Sequence, residues 1–212
     1  MKHVKRFVCI ALTLFLSVGL VEVNAKEDYS EKQMKRFEKS AEKSAKKRVK
    51  ELKKEKWLYN GSADLQMKLA DHMLETNEFG GTGIERVIDI PEAPSIVVGE
   101  KLARSNVEQD FAREIRTMLK GQIDTHTKAD GKYANDIYID NWSAKVVQEL
   151  KGDIRKNIVL SKKNKDNTYW VRVYFVLDQN SRRRALEDIA AEIKDDNELA
   201  AAIRRAAEGA DE

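Results

Sequence analysis

The sequence has little cysteine, proline or histidine, the residues that often cross-link or stiffen a small protein or serve in its catalytic and metal sites. Its 212 residues include one cysteine, two prolines and three histidines. The single cysteine, Cys9, lies in an apolar segment near the amino terminus. Without that segment, the chain has no thiol nucleophile and no disulfide, so an ordinary hydrophobic core must stabilise it.

The first 25 residues have the pattern of a cleavable secretory signal peptide. Residues 1–6 carry three basic side chains, and the apolar run Phe7–Val21 follows them. This run is shorter than the ~20 apolar residues of a transmembrane helix. Small or modest residues precede the predicted cleavage site between Ala25 and Lys26. We therefore expect an exported protein of the periplasm or cell envelope, with an uncleaved amino-terminal anchor as the alternative.

Cleavage would change the charge of the chain. It would leave 187 residues (212 minus 25), enough for one domain and an extension. The formal charge of +3 would fall to +1, because residues 1–25 hold three Lys or Arg and one Glu. A nearly neutral chain gives no global field toward nucleic acid or an anionic membrane. We therefore expect no nucleic-acid partner and at most peripheral membrane contact.

Residues 26–56 are predicted to form a charged helical arm, with 13 Lys or Arg against 7 Asp or Glu. The segment lacks proline and glycine, and its apolar residues recur in steps of three and four along one helix face. Those residues are Met34, Phe37, Ala41, Ala45, Val49 and Leu52. We expect water around most of this helix. Either the arm contacts an acidic partner, or its charges only keep a tether in water.

Residues 57–212 are predicted to form one α+β domain, with a small, mostly antiparallel sheet packed against helices. Ser62 is expected to cap a helix that contains Leu65, and residues 77–83 are expected to form a loop. The segment Ser95–Gly99 has the composition of a short buried strand, and a long helical pattern covers residues 100–128. A further helix is predicted from about Asp140.

A β-hairpin is predicted near the carboxyl terminus. Its strands are Ile154–Leu160 and Tyr169–Leu177, joined by the polar loop 161–167. The second strand is apolar on both faces, so we expect it to be central in the sheet. Ser181 is expected to cap a following helix, which Leu199–Ala207 would continue.

No residues have the spacing of a known catalytic or metal site, so no catalytic residue, cofactor or metal ligand is predicted. His72 and His126 are the only histidines after residue 25, and neither has a partner that the sequence displays. His72 adjoins an apolar helix face, which favours a structural role. Paired carboxylates are abundant, but most such pairs in a charged chain lie on solvated helix faces.

Arg182, Arg183 and Arg184 are the one unusual local feature. Three cations placed in the first turn of a helix would oppose the helix dipole unless an anion lies near. They could therefore bind a carboxylate, a phosphate or an acidic sugar. Alternatively, neighbouring acidic residues neutralise them within the protein.

The chain resembles the lipoprotein-twenty-type family of exported bacterial envelope proteins. The resemblance begins at Val97–Glu100 and continues through the helical segments Asn106–Ile115 and Gly121–Ile123. It ends with the hairpin Ile158–Leu160 and Tyr169–Tyr174, and spans roughly residues 57–193. It implies an α+β domain that acts in envelope assembly or surface interactions, without an established enzymatic activity. Members are commonly lipid-anchored, whereas this chain has no cysteine after the apolar run.

The sequence therefore predicts a non-enzymatic, envelope-associated protein that binds a partner protein or an envelope component. The alternative is an envelope hydrolase that cleaves glycan or peptide with two carboxylates as acid and base.

Overall fold

The structure is a computed structural model that describes residues 31–76, 79, 81–126, 136–194 and 196–208. The predicted signal peptide and its cleavage site between Ala25 and Lys26 lie outside the described residues. The chain divides into two compact units, Met1–Met34 and Lys35–Glu212. Of the first unit, only the first four residues of a helix are described.

The described residues form six helices and a four-stranded sheet, and the predicted α+β class is confirmed. The helices are α1 (Glu31–Lys54), α2 (Leu65–Glu75), α3 (Ile96–His126), α4 (Asp136–Leu150), α5 (Gln179–Glu192) and α6 (Asn197–Glu208). The strands are β1 (Leu58–Tyr59), β2 (Gly83–Ala93), β3 (Ile154–Lys163) and β4 (Tyr169–Asp178).

The sheet has the strand order β1-β3-β4-β2, and all neighbouring strands are antiparallel. The predicted hairpin is present as β3 and β4, although β3 extends to Lys163 and shortens the loop. Strand β4 is central, as its apolar faces indicated. Strand β2 is an edge strand, and the ladder shifts register between Ile90 and Ala93, around Pro91. Proline is tolerated there because an edge strand does not need every amide hydrogen.

The main core lies between one face of the sheet and helices α3 to α6. Side chains of β4 that point to this face alternate along the strand, as the period of two requires. They are Val171, Val173, Phe175 and Leu177. On α3, the residues predicted to descend one helix face are buried against them: Ala103, Val107, Phe111, Ile115, Leu119 and Ile123.

A second core covers the opposite face of the sheet. It consists of Ala41, Ala45, Leu52, Trp57, Leu69, Ala70, Ile158, Leu160 and Tyr174. The apolar residues of α1 between Ala41 and Leu52 are therefore part of the fold rather than a thin stripe on a solvated arm. The physical reason is that β4 is apolar on both faces, so each face needs a covering layer. From Lys35 onward, α1 belongs to the same compact unit as the sheet.

The carboxyl end of α1 is a Schellman motif. The amide of Trp57 donates to the carbonyl of Leu52 at 2.9 Å, and the amide of Lys56 donates to that of Lys53 at 3.1 Å. Lys56 has a φ of 64°, a left-handed conformation that usually selects glycine. Trp57 and Leu52 lie in the same core cluster, which supplies the apolar contact of this motif.

The strand predicted at Ser95–Gly99 is wrong, because this segment begins helix α3. The side-chain oxygen of Ser95 accepts a hydrogen bond from the amide of Val98 at 3.2 Å, which starts the helix. Val97 is 62% exposed, so the run of β-branched residues is not a buried strand. The sheet instead takes its strand from Gly83–Ala93, which was not predicted.

Two predicted helix caps are also wrong. Asp64, not Ser62, caps α2, and its carboxylate accepts a hydrogen bond from the amide of Met67 at 3.0 Å. Asp178, not Ser181, caps α5. In both cases an aspartate competes with a nearby serine, and the two residue types are similarly good caps. Helix α6 is a separate helix rather than a continuation of α5.

Candidate functional site

A concave pocket of about 360 Å³ lies on the sheet face that α1 and α2 cover. We name it the arginine pocket. Its lining residues come from α1, α2, β2 and β4, and they are Arg48, Leu69, His72, Met73, Glu85, Val87, Arg172 and Tyr174. It combines an apolar wall with several polar side chains, which is the usual composition of a small-molecule site.

The antiparallel register of β2 and β4 brings the polar side chains together. Arg172 and Tyr174 point to the same face because side chains in a strand alternate. Asp89 lies directly opposite Arg172, and Val87 lies directly opposite Tyr174. Cross-strand neighbours at such positions are close enough for their side chains to interact. The pocket is therefore fixed by the sheet and completed by the two helices.

Arg172 is held rigidly at the edge of the pocket. Its Nε and Nη2 atoms donate to the two carboxylate oxygens of Asp89, both at 2.8 Å. Trp170 also donates to Asp89, and the guanidinium carbon of Arg172 lies 4.8 Å from the ring centre of Trp57. The hydrogen bond to Asp89 raises the pKa of Arg172. This paired, stacked geometry fixes the direction of the remaining guanidinium nitrogen.

Tyr174 brings a buried hydroxyl group to the pocket. The residue is 6% exposed, and its hydroxyl has no hydrogen-bond partner among the described residues. The guanidinium groups of Arg48 and Arg172 both lie close to this hydroxyl, which raises the pKa of each, but neither contact has the geometry of a hydrogen bond. Buried tyrosine hydroxyls usually have a partner, so this one marks an incomplete site.

Arg48 forms the helical side of the pocket. Its nearest carboxylate oxygen belongs to Glu51 and lies 3.4 Å away, which is long for a hydrogen bond. The Tyr174 hydroxyl is the largest influence on the raised pKa of Arg48, while burial and, to a smaller extent, the like charge of Arg172 act in the opposite direction. Arg48 is therefore a partly exposed cation with little internal neutralisation.

His72 is buried at the base of the pocket, and both of its ring nitrogens are occupied. Its Nε2 lies 2.7 Å from a carboxylate oxygen of Glu85, and its Nδ1 lies 3.2 Å from the amide nitrogen of Asn157. Since that amide nitrogen is a donor, the hydrogen-bond network assigns the imidazole proton to Nε2. The ring also stacks edge-on against Tyr174 at 5.5 Å. His72 is thus an orienting residue, in agreement with the structural role that the sequence favoured.

A bulge in β3 provides the Asn157 side chain. The register shifts between Lys156 and Ile158, so Asn157 has no opposite residue on β4. Bulges of this kind redirect a side chain out of the ladder. The Asn157 amide also donates to Glu75 at 2.6 Å, and Glu75 is in turn paired with Arg155. The base of the pocket is therefore a connected polar network.

The three arginines predicted as an anion site lie elsewhere. Helix α5 begins at Gln179, so Arg182–Arg184 occupy its fourth to sixth positions rather than its first turn. The cost expected from the helix dipole is smaller there. Each side chain has a different partner: Glu114 at 3.4 Å, Glu187 at 3.7 Å and Ser181 at 3.2 Å, in sequence order. The predicted anion site stays a prediction.

Arg184 also lines a second pocket, of about 310 Å³. That pocket is lined by three carboxylate side chains, Glu149, Asp153 and Asp188, and by one guanidinium. Such a balance favours a cation over an anion. Of the two pockets, the arginine pocket therefore has the better composition for an anionic ligand.

Other kinds of site receive no support from the part of the chain that the structure describes. No cluster of three or more His, Cys, Asp or Glu side chains there is placed to hold a metal ion. Within those same residues, no helix is long and apolar enough to cross a membrane. His126 is the last residue of α3.

No protein-family model, no curated protein and no solved structure matches this chain. The resemblance to the lipoprotein-twenty-type family therefore stays a prediction.

The sequence did not identify the arginine pocket, although one signal for it was present. Arg172 lies between Trp170 and Tyr174 in a strand predicted to be central. A charged residue in such a strand is seldom buried without a partner. That rule indicates a carboxylate on a neighbouring strand, but β2, which provides Asp89, was not predicted.

Proposed function

We propose that the chain is an exported, non-enzymatic, envelope-associated protein that binds a partner protein or an envelope component. The observation that carries this proposal is the arginine pocket, in which the buried, unpaired hydroxyl of Tyr174 lies beside Arg48 and Arg172. These are groups that recognise a ligand by hydrogen bonding and charge.

The contacts within the pocket favour binding over turnover. A general base needs a nitrogen or oxygen that is free to reach the ligand. Both nitrogens of His72 are engaged by protein groups, and Asp89 is engaged by Arg172. Rigid, internally paired side chains of this kind position a ligand well but transfer protons poorly.

The hydrolase alternative gains no specific observation in the arginine pocket. Two carboxylates that act as acid and base must both face the substrate. In the arginine pocket, the one lining carboxylate is Glu85, and its Oε1 atom is hydrogen-bonded to His72. The arginine pocket therefore does not supply the pair of free carboxylates that a hydrolase would need.

The proposed location depends on the sequence of residues 1–25, which has the pattern of a signal peptide. The resemblance to exported envelope proteins supports the same location. A basic n-region, an apolar run and small residues before Lys26 together favour export and cleavage.

Expression of the full chain in a bacterial host, followed by fractionation of the envelope, tests the proposal. We expect a mature protein that begins at Lys26 and is found with the envelope fraction. Arg48→Glu should release it from that fraction, whereas Lys50→Glu, the same charge change on the exposed side of α1, should not. An uncleaved protein that still begins at Met1 and stays in the cytoplasm would refute export. If Arg48→Glu and Lys50→Glu were found in the envelope fraction to the same extent, binding through the pocket would be refuted.

A further inference from the structure

The arginine pocket has hydrogen-bond donors that the protein does not use. Arg172 donates to Asp89 through Nε and Nη2, and the Tyr174 hydroxyl is the other polar group close to its guanidinium. Arg48 has the long contact to Glu51, and it also lies close to the Tyr174 hydroxyl. With the Tyr174 hydroxyl, three donor groups therefore surround one pocket. Their natural partner is a group with several acceptor oxygens.

The two guanidinium groups also act on each other as like charges. Arg48 and Arg172 line the same pocket, where their like charges repel each other, although the net pKa of Arg48 is raised by the Tyr174 hydroxyl. An anion bound between them would remove this repulsion and would accept the Tyr174 hydroxyl hydrogen. A bound oxyanion would therefore stabilise the pocket, because it would reduce the repulsion between the two cations and pair the hydroxyl.

The surrounding charges limit how much negative charge the ligand can carry. Asp89 neutralises Arg172, Glu51 lies beside Arg48, and Glu85 lines the same pocket. These carboxylates would repel a doubly charged phosphate or sulfate more than a monoanion. A carboxylate, which has one negative charge and two acceptor oxygens, fits this balance.

The rest of the wall is apolar. Leu69, Met73 and Val87 line it, and methionine adapts readily to different shapes. The volume of about 360 Å³ would hold about a dozen water molecules. A ligand that fills this space has a short apolar body attached to its charged group.

We propose that the arginine pocket binds the carboxylate of a small organic monoanion, with Arg48, Arg172 and Tyr174 as the donors and the apolar wall holding the ligand's body. This inference names the chemical class of the envelope component or partner group that the pocket binds. Its biological role rests on the proposed function.

Calorimetric titration of the purified, exported chain tests the ligand class. The probes are hexanoate, hexanamide and inorganic phosphate. We expect hexanoate to bind and hexanamide, which has the same shape without the charge, to bind at least about tenfold more weakly. Phosphate should bind more weakly than hexanoate. Equal affinity for hexanoate and hexanamide, or a preference for phosphate, would overturn the proposal.

Variants identify the donors. Tyr174→Phe should weaken hexanoate binding about tenfold, because a hydrogen bond to a charged group is lost. Arg48→Ala should weaken it by a similar factor or more, and Lys50→Ala should leave it unchanged. Without ligand, Tyr174→Phe should be at least as stable as the wild type, since it removes an unpaired buried hydroxyl. Unchanged affinity in Tyr174→Phe would show that the hydroxyl is not part of the site.

The two proposals can fail separately. If hexanoate binds but the protein does not associate with the envelope, carboxylate binding is supported and the envelope function is refuted. If the envelope association depends on Arg48 but hexanoate does not bind, only the proposal of a carboxylate ligand is refuted.

Discussion

Replacement of Leu52 by alanine tests whether α1 is part of the hydrophobic core. Leu52 is 1% exposed and belongs to the second core cluster with Trp57 and Leu69. Truncation of a fully buried leucine lowers the free energy of unfolding by about 2–5 kcal/mol. The position is near one end of α1, where the surrounding structure can relax, so we expect about 3 kcal/mol. In a protein of this size, that corresponds to a melting temperature about 6–12 °C lower.

Denaturant unfolding followed by tryptophan fluorescence is the suitable assay, because Trp57 lies in the same cluster. Lys50→Ala, at an exposed position of the same helix, is the control and should change stability by no more than about 0.5 kcal/mol. If Leu52→Ala also stays within that limit, α1 does not stabilise the sheet. The interpretation of residues 26–56 as a solvated arm would then be correct.

Three further predictions concern local conformation. A Cβ atom on Gly99 would lie 2.5 Å from a valine methyl of β4, so Gly99→Ala should cost about 1–3 kcal/mol. In the same helix, Gly121 has nothing within 4 Å of such an atom, so Gly121→Ala should stabilise by about 0.5–1 kcal/mol; thermal unfolding of both variants measures the contrast. Lys56→Gly should stabilise by about 0.5–1 kcal/mol in the same assay, because it relieves the left-handed conformation. The side-chain hydrogen bond from Thr168, and then its backbone amide, lower the pKa of Asp166. The carboxylate therefore stabilises the fold above its ordinary pKa and stops doing so as the pH falls through the lowered value. Asp166→Asn should be less stable than the wild type at about pH 6, and the difference should shrink as the pH falls through the lowered pKa.

Each of these predictions has a result that would contradict it. Equal effects of the two glycine replacements would mean that α3 does not approach the sheet closely at Gly99. A destabilising Lys56→Gly would mean that the lysine side chain contributes more than its backbone conformation costs. A difference between Asp166→Asn and the wild type that stays constant as the pH falls would assign the effect to shape rather than charge.

The regular elements with long, clean periodicity could be predicted from the sequence. The β3–β4 hairpin follows from two apolar runs around a polar loop, and α3 follows from its descending apolar face. Strand β2 was missed because its alternation is interrupted by charged residues and ends at Pro91. Ser95–Gly99 was misassigned because β-branched residues favour strands locally, whereas the hydrogen bond from Val98 to Ser95 starts a helix.

The arginine pocket could not be predicted because it depends on tertiary pairing. Arg48 lies in a segment whose charge suggested a solvated arm, and only burial of its neighbours Ala45 and Leu52 turns that face toward the sheet. The sequence does not distinguish Tyr174 from other tyrosines in strands, because only the folded structure shows that its hydroxyl has no hydrogen-bond partner among the described residues. Arg182–Arg184 were predicted to bind an anion because they are consecutive in the sequence, but in the structure their side chains have separate partners.

A crystal structure of the chain grown with hexanoate tests the central claim most directly. We predict that the carboxylate lies in the arginine pocket, within hydrogen-bond distance of the Tyr174 hydroxyl and of the Arg48 guanidinium. A Tyr174 hydroxyl bonded to a protein group instead, with the pocket closed and hexanoate bound elsewhere or absent, would contradict the proposed carboxylate site.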